Sequence, residues 1–332
     1  MGRFEQLERI EEDDGWDNLD ADITPVQTEV IIDSTRTIIN YVNSPDISFD
    51  RSINPYRGCE HGCTYCFARP THTYLGYSAG LDFESRILIK PDAAELLKKE
   101  LAKSSYVCAP IAMGTNTDPY QPLERKYKIT RSILEVLAEY KHPVTIVTKN
   151  ALIERDIDIL APMATQGLAR VFVSVTTLNK DICRTLEPRA AAPHRRLEAI
   201  KALNDAGIPT GVMTAPIIPV LTDTEMESIL EAAANAGAKS AGYVLLRLPL
   251  EVAPLFEEWL KQYFPLKAEH VMSIVKQSRG GKAYDSAFFV RQRGVGLFAD
   301  MIGQRFKLAT KKFGMNIERP PMNTTLFTPP RP

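Results

Sequence analysis

The chain has 332 residues, 44% of them hydrophobic and 24% charged, with a formal net charge of −1 at neutral pH. That size suits one barrel-sized globular domain plus extensions. No apolar run approaches the length of a bilayer-spanning helix, so the expectation is a soluble protein with no membrane partner.

Charge is distributed unevenly. Residues 1–30 carry ten acidic side chains against Arg3 and Arg9, whereas residues 276–332 carry eleven Lys or Arg against Asp285, Asp300 and Glu318. Residues 1–23 read as an acidic extension with Trp16 and Leu19 as its obvious anchors. Such a start lacks the apolar core of a secretory signal, and clustered thiols further on suit a reducing compartment, so a cytoplasmic location is expected. The β-branched runs Val30-Ile31-Ile32 and Thr37 to Val42 predict short strands or a lead-in hairpin.

Ser52-Ile53-Asn54-Pro55-Tyr56 then feeds a loop in which Cys59, Cys63 and Cys66 are spaced C-x3-C-x2-C. Gly58 and Gly62 let the backbone curl so that three thiols can face one point. Two metal readings fit such a trio. One is a [4Fe–4S] cube held at three irons, with its fourth open to a ligand; the other is a zinc site of Cys3His type, with His61 or His72 as fourth ligand, in a non-catalytic nucleic-acid-binding module.

After the loop comes a short extended run, Ser85 to Lys90, and an amphipathic helix over Asp92 to Lys103. Strand-length apolar runs then alternate with helix-period segments. The runs are Val107 to Met113, Val144 to Thr148, Arg170 to Val175, Thr210 to Ala215 and Gly242 to Arg247. The helices fall near residues 128–140, 153–162, 194–206, 223–236 and 255–262. Counting the strand before the cysteine loop, six strand–helix units predict an α/β protein with a parallel sheet covered by helices. Polar or special residues follow almost every run: Tyr56 to Cys66, Thr115 to Asp118, Lys149-Asn150, Ser174 with Thr176-Thr177, Pro216 to Pro219, and Arg247. That is where a barrel places its site.

The cysteine spacing, with Tyr65 just before the last cysteine, resembles the signature of the radical S-adenosylmethionine (SAM) superfamily. The resemblance implies a partial (β/α)6 TIM-like barrel, a [4Fe–4S] cluster on Cys59, Cys63 and Cys66, and reductive cleavage of SAM to a 5′-deoxyadenosyl radical that abstracts hydrogen from a substrate. It also implies a reductant such as flavodoxin or ferredoxin. SAM contacts are then expected from Asn116, Thr117 and Asp118 for the ammonium, Lys149 for the carboxylate, Ser174 for the ribose, and Tyr65 and Ile217 around the adenine.

Val147-Thr148-Lys149, Val173-Ser174-Val175, Leu186-Glu187-Pro188 and Ala215 to Ile218 further resemble the branch containing spore photoproduct lyase. Across about residues 50–250 the resemblance is closest to bacterial proteins without a settled substrate, loosely labelled DNA repair photolyases. The lyase relays a hydrogen atom through a cysteine and tyrosines. Here Thr115 occupies the cysteine position and Phe67 replaces one tyrosine, so that chemistry is not expected to carry over. Cys108 is placed at the opposite rim from Thr115, and Cys183 reads as a buried structural cysteine.

Past residue 265 the alternation stops, giving an expected division into 1–50, 51–265 and 266–332. Helices are predicted over 267–277 and 297–312, followed by a proline-rich tail lying extended on the surface. If the substrate is a nucleic acid, Arg279, Lys282, Arg291, Arg293, Arg305 and Lys307 are where its phosphates are expected.

Overall fold

Six parallel strands form in chain order and lie side by side in that same order, as short apolar runs joined by helical crossovers should. The computed structural model describes residues 27–318 and 320–330, so the acidic extension with Trp16 and Leu19 lies outside the described residues. Ten strands are labelled here: β1 Glu29–Ile32, β2 Ile39–Tyr41, β3 Arg51–Ile53, β4 Tyr56–Arg57, β5 Arg86–Ile89, β6 Ile111–Met113, β7 Val144–Thr148, β8 Ala169–Ser174, β9 Thr210–Ile217 and β10 Ser240–Leu245. The larger sheet runs β10-β9-β8-β7-β6-β3-β2 and is open, with β2 the only antiparallel member. This is the expected partial barrel.

Two local expectations change. The apolar run from Val107 supplies only a three-residue strand, because residues 107–110 form no ladder and Val107 is solvent-exposed. The runs at β1 and β2 are both strands, but they do not make a hairpin with each other. β2 pairs with β3, while β1 pairs in parallel with β5, which also takes β4 antiparallel in a separate three-stranded sheet. Pairing partners depend on which elements the fold brings together, and strand propensity carries no such information.

Helices Ala93–Leu101, Ile129–Glu139, Ile157–Thr165, Pro193–Asp205 and Met226–Asn235 cover the outside of the sheet. Leu97, Leu101, Ile133 and Leu137 on helices, and Val144, Ile146, Val171 and Val212 on strands, are wholly buried in one core. Burial of each is worth about 1.5–3 kcal/mol. A second core joins helices Val252–Tyr263 and Ala268–Gln277 to the cysteine loop: Phe256, Trp259, Val271 and Met272 pack with Cys63, Tyr65, Leu186 and Leu246. The C-terminal helices therefore buttress the site end of the barrel.

The tail straps the other rim. Arg170 Nη2 donates to the Pro320 carbonyl at 2.7 Å, the Asn323 amide to Gly167 at 3.0 Å, and the Thr328 amide to Tyr140 at 3.0 Å. Phe327 closes the strap edge-on against His142, with ring centroids 5.2 Å apart.

Candidate active site

The cysteine loop is built of turns. Gly58 and Gly62 adopt φ of +83° and +68°, and a Cβ on Gly58 would come within 2.8 Å of both Ile87 Cδ1 and the Phe83 carbonyl oxygen. Only glycine fits there. Buried Arg69 gathers the loop from within: its Nε donates to the Cys63 carbonyl at 2.9 Å, Nη2 to Gly62 at 3.0 Å, and Nη1 to Ala79 and Gly80 at 3.0 and 2.9 Å. Arg189 holds the Glu60 carbonyl, and Glu84 accepts from both arginines.

Cys59, Cys63 and Cys66 are free thiols on this loop, the first two buried and Cys66 half-buried. Burial pushes the Cys59 thiol well up, and Asp118, Cys63 and Cys66 add to it; burial and then Glu187 do the same to Cys63. Among the described residues, no three His, Cys, Asp or Glu side chains converge tightly enough to hold a single metal ion. A cube takes each thiolate on a different iron, and Cys59, Cys63 and Cys66, free thiols on one glycine-hinged loop, are donors of the type it needs. His61 is further unsuited as a zinc ligand, since Nε2 meets Asn150 Nδ2 at 3.2 Å and Nδ1 meets Asp118 Oδ2 at 3.4 Å. His72 donates Nε2–H to the Arg86 carbonyl at 2.9 Å and lies behind Gly58.

Above the loop, the carboxyl ends of the strands enclose a cavity of about 800 Å³. Tyr65, Asn116, Lys149 and Ser174 all line it. The Lys149 ammonium makes no hydrogen bond or ion pair with any described residue, and its Nζ stands 5.8 Å from the Tyr65 ring centroid. Burial would lower the pKa of this ammonium, but Cys63 and Glu187 outweigh burial and raise it, so it stays charged.

The other expected contacts sit elsewhere. Thr117 donates Oγ1 to the Gly58 carbonyl at 2.6 Å and is buried, tying the loop after β6 to the cysteine loop. Asp118 accepts from Thr148 Oγ1 at 2.6 Å, the Lys149 amide at 2.8 Å and the Tyr120 amide at 2.9 Å. Burial would raise its carboxyl, but His61, Thr148 and the Lys149 amide hold it down at about 2. Both are struts within the wall. Ile217 is buried in the main core, and Ala215 and Pro216 line the cavity in its place.

Glu187 was missed by sequence reasoning. It is wholly buried and accepts from Tyr65 Oη, from Thr176 Oγ1 at 2.8 Å and from Arg196 Nη2 at 2.5 Å. Burial would raise its carboxyl, yet Arg196 and Lys149 hold it at about 2. The signal available was an acid between Leu186 and Pro188 with an arginine nine positions on. Cys183 belongs to the same network, its Sγ 3.5 Å from Glu187 Oε2, and burial pushes its thiol up to about 12. Cys108 precedes the amino end of β6, and burial pushes its thiol up to about 11.

The basic C-terminal side chains are mostly engaged within the fold. Arg279 is buried and donates to the carbonyls of Leu245 and Leu246, both at 3.1 Å, and of Val290. Arg291 pairs with Asp46 through Nε at 2.7 Å and Nη2 at 2.5 Å, Arg305 pairs with Glu227 at 2.7 Å, and Arg293 lies 3.9 Å over the Tyr243 ring. Lys282 and Lys307 are exposed. Sequence alone cannot tell a cation facing solvent from one capping carbonyls.

The Radical SAM superfamily profile matches residues 53–233. An uncharacterised protein of Mycobacterium tuberculosis is 37% identical over 233 residues, covering 69% of this chain and 68% of the relative. A radical SAM Nalpha-GlyT isomerase of Pseudomonas phage M6 is 23% identical over 231 residues, covering 68% of this chain and 46% of that protein. A variant of spore photoproduct lyase with bound AdoMet and dinucleoside spore photoproduct superimposes with a TM-score of 0.61 at 16% identity, covering 86% of this chain and 80% of that one, a likeness of fold. Among the described residues no helix is long and apolar enough to cross a membrane. The chain belongs to the radical SAM superfamily, whose members use a [4Fe–4S] cluster and S-adenosylmethionine.

Proposed function

We propose that this protein is a radical SAM enzyme in which Cys59, Cys63 and Cys66 hold the [4Fe–4S] cluster and Tyr65, Asn116, Lys149 and Ser174 line the SAM site. The observation that carries this is Lys149: an ammonium without a hydrogen-bonding partner among the described residues, lining the cavity beside Tyr65. A carboxylate is the natural ligand for such a group. When bound, the cluster and SAM together supply a 5′-deoxyadenosyl radical, and the difficult chemistry is theirs. The chain's own part is to hold, orient and shield. The Ser174 hydroxyl offers a partner for a ribose hydroxyl, and Asp118, through the Lys149 amide, fixes the turn that aims the lysine.

Hydrogen return by a cysteine and tyrosine relay is not part of this reading. Thr115 donates its hydroxyl to Asn54 at 3.3 Å, and a threonine O–H is too strong to give up a hydrogen atom; Phe67 has no phenol. The substrate radical is therefore quenched from solvent, from SAM or from the substrate itself. We place the enzyme in the cytoplasm, with flavodoxin or ferredoxin as reductant. A nucleic-acid substrate carried on the C-terminal segment is the weaker alternative, because Arg279, Arg291 and Arg305 are already paired inside the protein. The reaction types named for similar proteins, a lyase and an isomerase, leave its class open.

Anaerobic reconstitution tests the reading: about four irons and four sulfides per chain are expected, with 5′-deoxyadenosine formed on reduction with SAM. Lys149→Met should keep the iron and weaken SAM binding. One zinc without sulfide, or unchanged SAM binding in Lys149→Met, would overturn it.

A further inference from the structure

A second cation faces the cavity without an acidic partner. Arg247, two residues past the end of β10, makes no hydrogen bond or ion pair with any described residue, and its guanidinium carbon lies 3.8 Å from the Phe67 ring centroid, one residue from Cys66. Stacking on an aromatic face suits a guanidinium and leaves its N–H edge available for a planar two-oxygen ligand.

The charged groups around it do not neutralise it. Arg279 and Arg291 share its sign. The nearby carboxylate, Asp46, is taken by Arg291 through two hydrogen bonds and by the Phe289 amide at 3.2 Å. Burial lowers the Arg247 pKa and Arg291 adds to it, while Tyr284, Cys66 and Asp46 oppose the shift without reversing it. Leaving a half-buried guanidinium unpaired is unfavourable unless a ligand completes it.

The position is also braced. Arg279 donates to the carbonyls of Leu245 and Leu246, the two residues before Arg247, and to Val290, the residue before Arg291. Tyr284, Arg291 and Gln292 from the same C-terminal stretch complete this side of the cavity. The cation sits on a fixed backbone.

Resting on the assignment of Lys149 to SAM, we infer that Arg247 is a substrate-binding residue, and that the substrate carries an oxyanion, a carboxylate or a phosphate, seated on the Arg247 edge over Phe67. Arg279 is its positioning residue.

Thermal unfolding of the reconstituted holoenzyme, at matched ionic strength, tests this with phenyl phosphate, benzoate and SAM as separate ligands. One of the two anions should raise the Tm of the parent protein, phenyl phosphate for a phosphate-bearing substrate or benzoate for a carboxylate-bearing one. Arg247→Met should abolish that rise and keep the one produced by SAM. Arg247→Lys, which keeps the charge but not the fork, should retain a reduced rise and covers the case in which the methionine variant does not fold. The inference is overturned if neither anion stabilises the parent, if Arg247→Met responds to the anion as the parent does, or if Arg247→Met loses the SAM response instead. Loss of the SAM response in Lys149→Met, with the anion response kept, supports two separate subsites. A preserved SAM response in Lys149→Met defeats the SAM-site assignment and leaves the Arg247 anion seat standing.

Discussion

Replacing Glu187 with glutamine should weaken the fold in a way that fades with acid. The carboxylate is wholly buried, paired with Arg196 at 2.5 Å, bonded to Thr176 and Tyr65, and held at about 2. Against an unperturbed value near 4.3, that depression corresponds to about 3 kcal/mol favouring the ionised, folded form at neutral pH. The independent expectation for breaking a buried ion pair from one side is about 3–5 kcal/mol, which agrees. For a chain of 332 residues, an unfolding entropy of about 2.1 cal/mol/K per residue converts 3 kcal/mol into roughly 4 °C of Tm. The sign is that of a depressed acid: the stabilisation is fully present above about pH 4.5 and is lost as pH falls through about 2. Calorimetry of the parent and Glu187→Gln chains from pH 7 down to pH 3 should show two Tm values about 4 °C apart at neutral pH that draw together to roughly half that gap by pH 3. Equal values at pH 7, or a gap that widens with acid, would refute the reasoning.

Three other outcomes follow from the loop and its struts. Gly114 has φ of +87°, and a Cβ there would collide with the Val147 carbonyl oxygen, so Gly114→Ala should cost about 2 kcal/mol or more and lower both Tm and SAM binding. Arg69→Met removes the donor to Cys63, Gly62, Ala79 and Gly80, and should reduce the iron retained after reconstitution before it reduces helix content by circular dichroism. Asp118→Ala leaves Thr148, Tyr120 and the Lys149 amide without their acceptor. It should destabilise by about 2–4 kcal/mol in urea melts, with Asp118→Asn milder and the difference from the parent shrinking as pH falls toward 2.

The cysteine loop and the strand order were legible because each rests on local pattern. Three thiols within eight positions, separated by glycines, define a ligand loop whatever surrounds it, and apolar runs alternating with helix-period segments predict neighbouring parallel strands. β7 falls where the pattern placed it, and five of the six barrel strands match to within a few residues. The sixth, β6, shrank to three residues because hydrophobicity was read as pairing before Ile111, where no partner strand is present.

What tertiary structure alone decided is the direction in which each polar group faces. Asn116, Thr117 and Asp118 are adjacent in the chain, yet one lines the cavity while the other two are struts turned into its wall. Arg247 and Arg279 look alike as residues: Arg279 has its Nη1 and Nη2 groups capped by three carbonyls from two segments, and Arg247 meets only an aromatic face. Residue type and spacing determine which chemistry a segment can offer. Whether that chemistry is satisfied inside the protein or left for a ligand depends on partners tens to hundreds of residues away, which only the folded chain brings within reach.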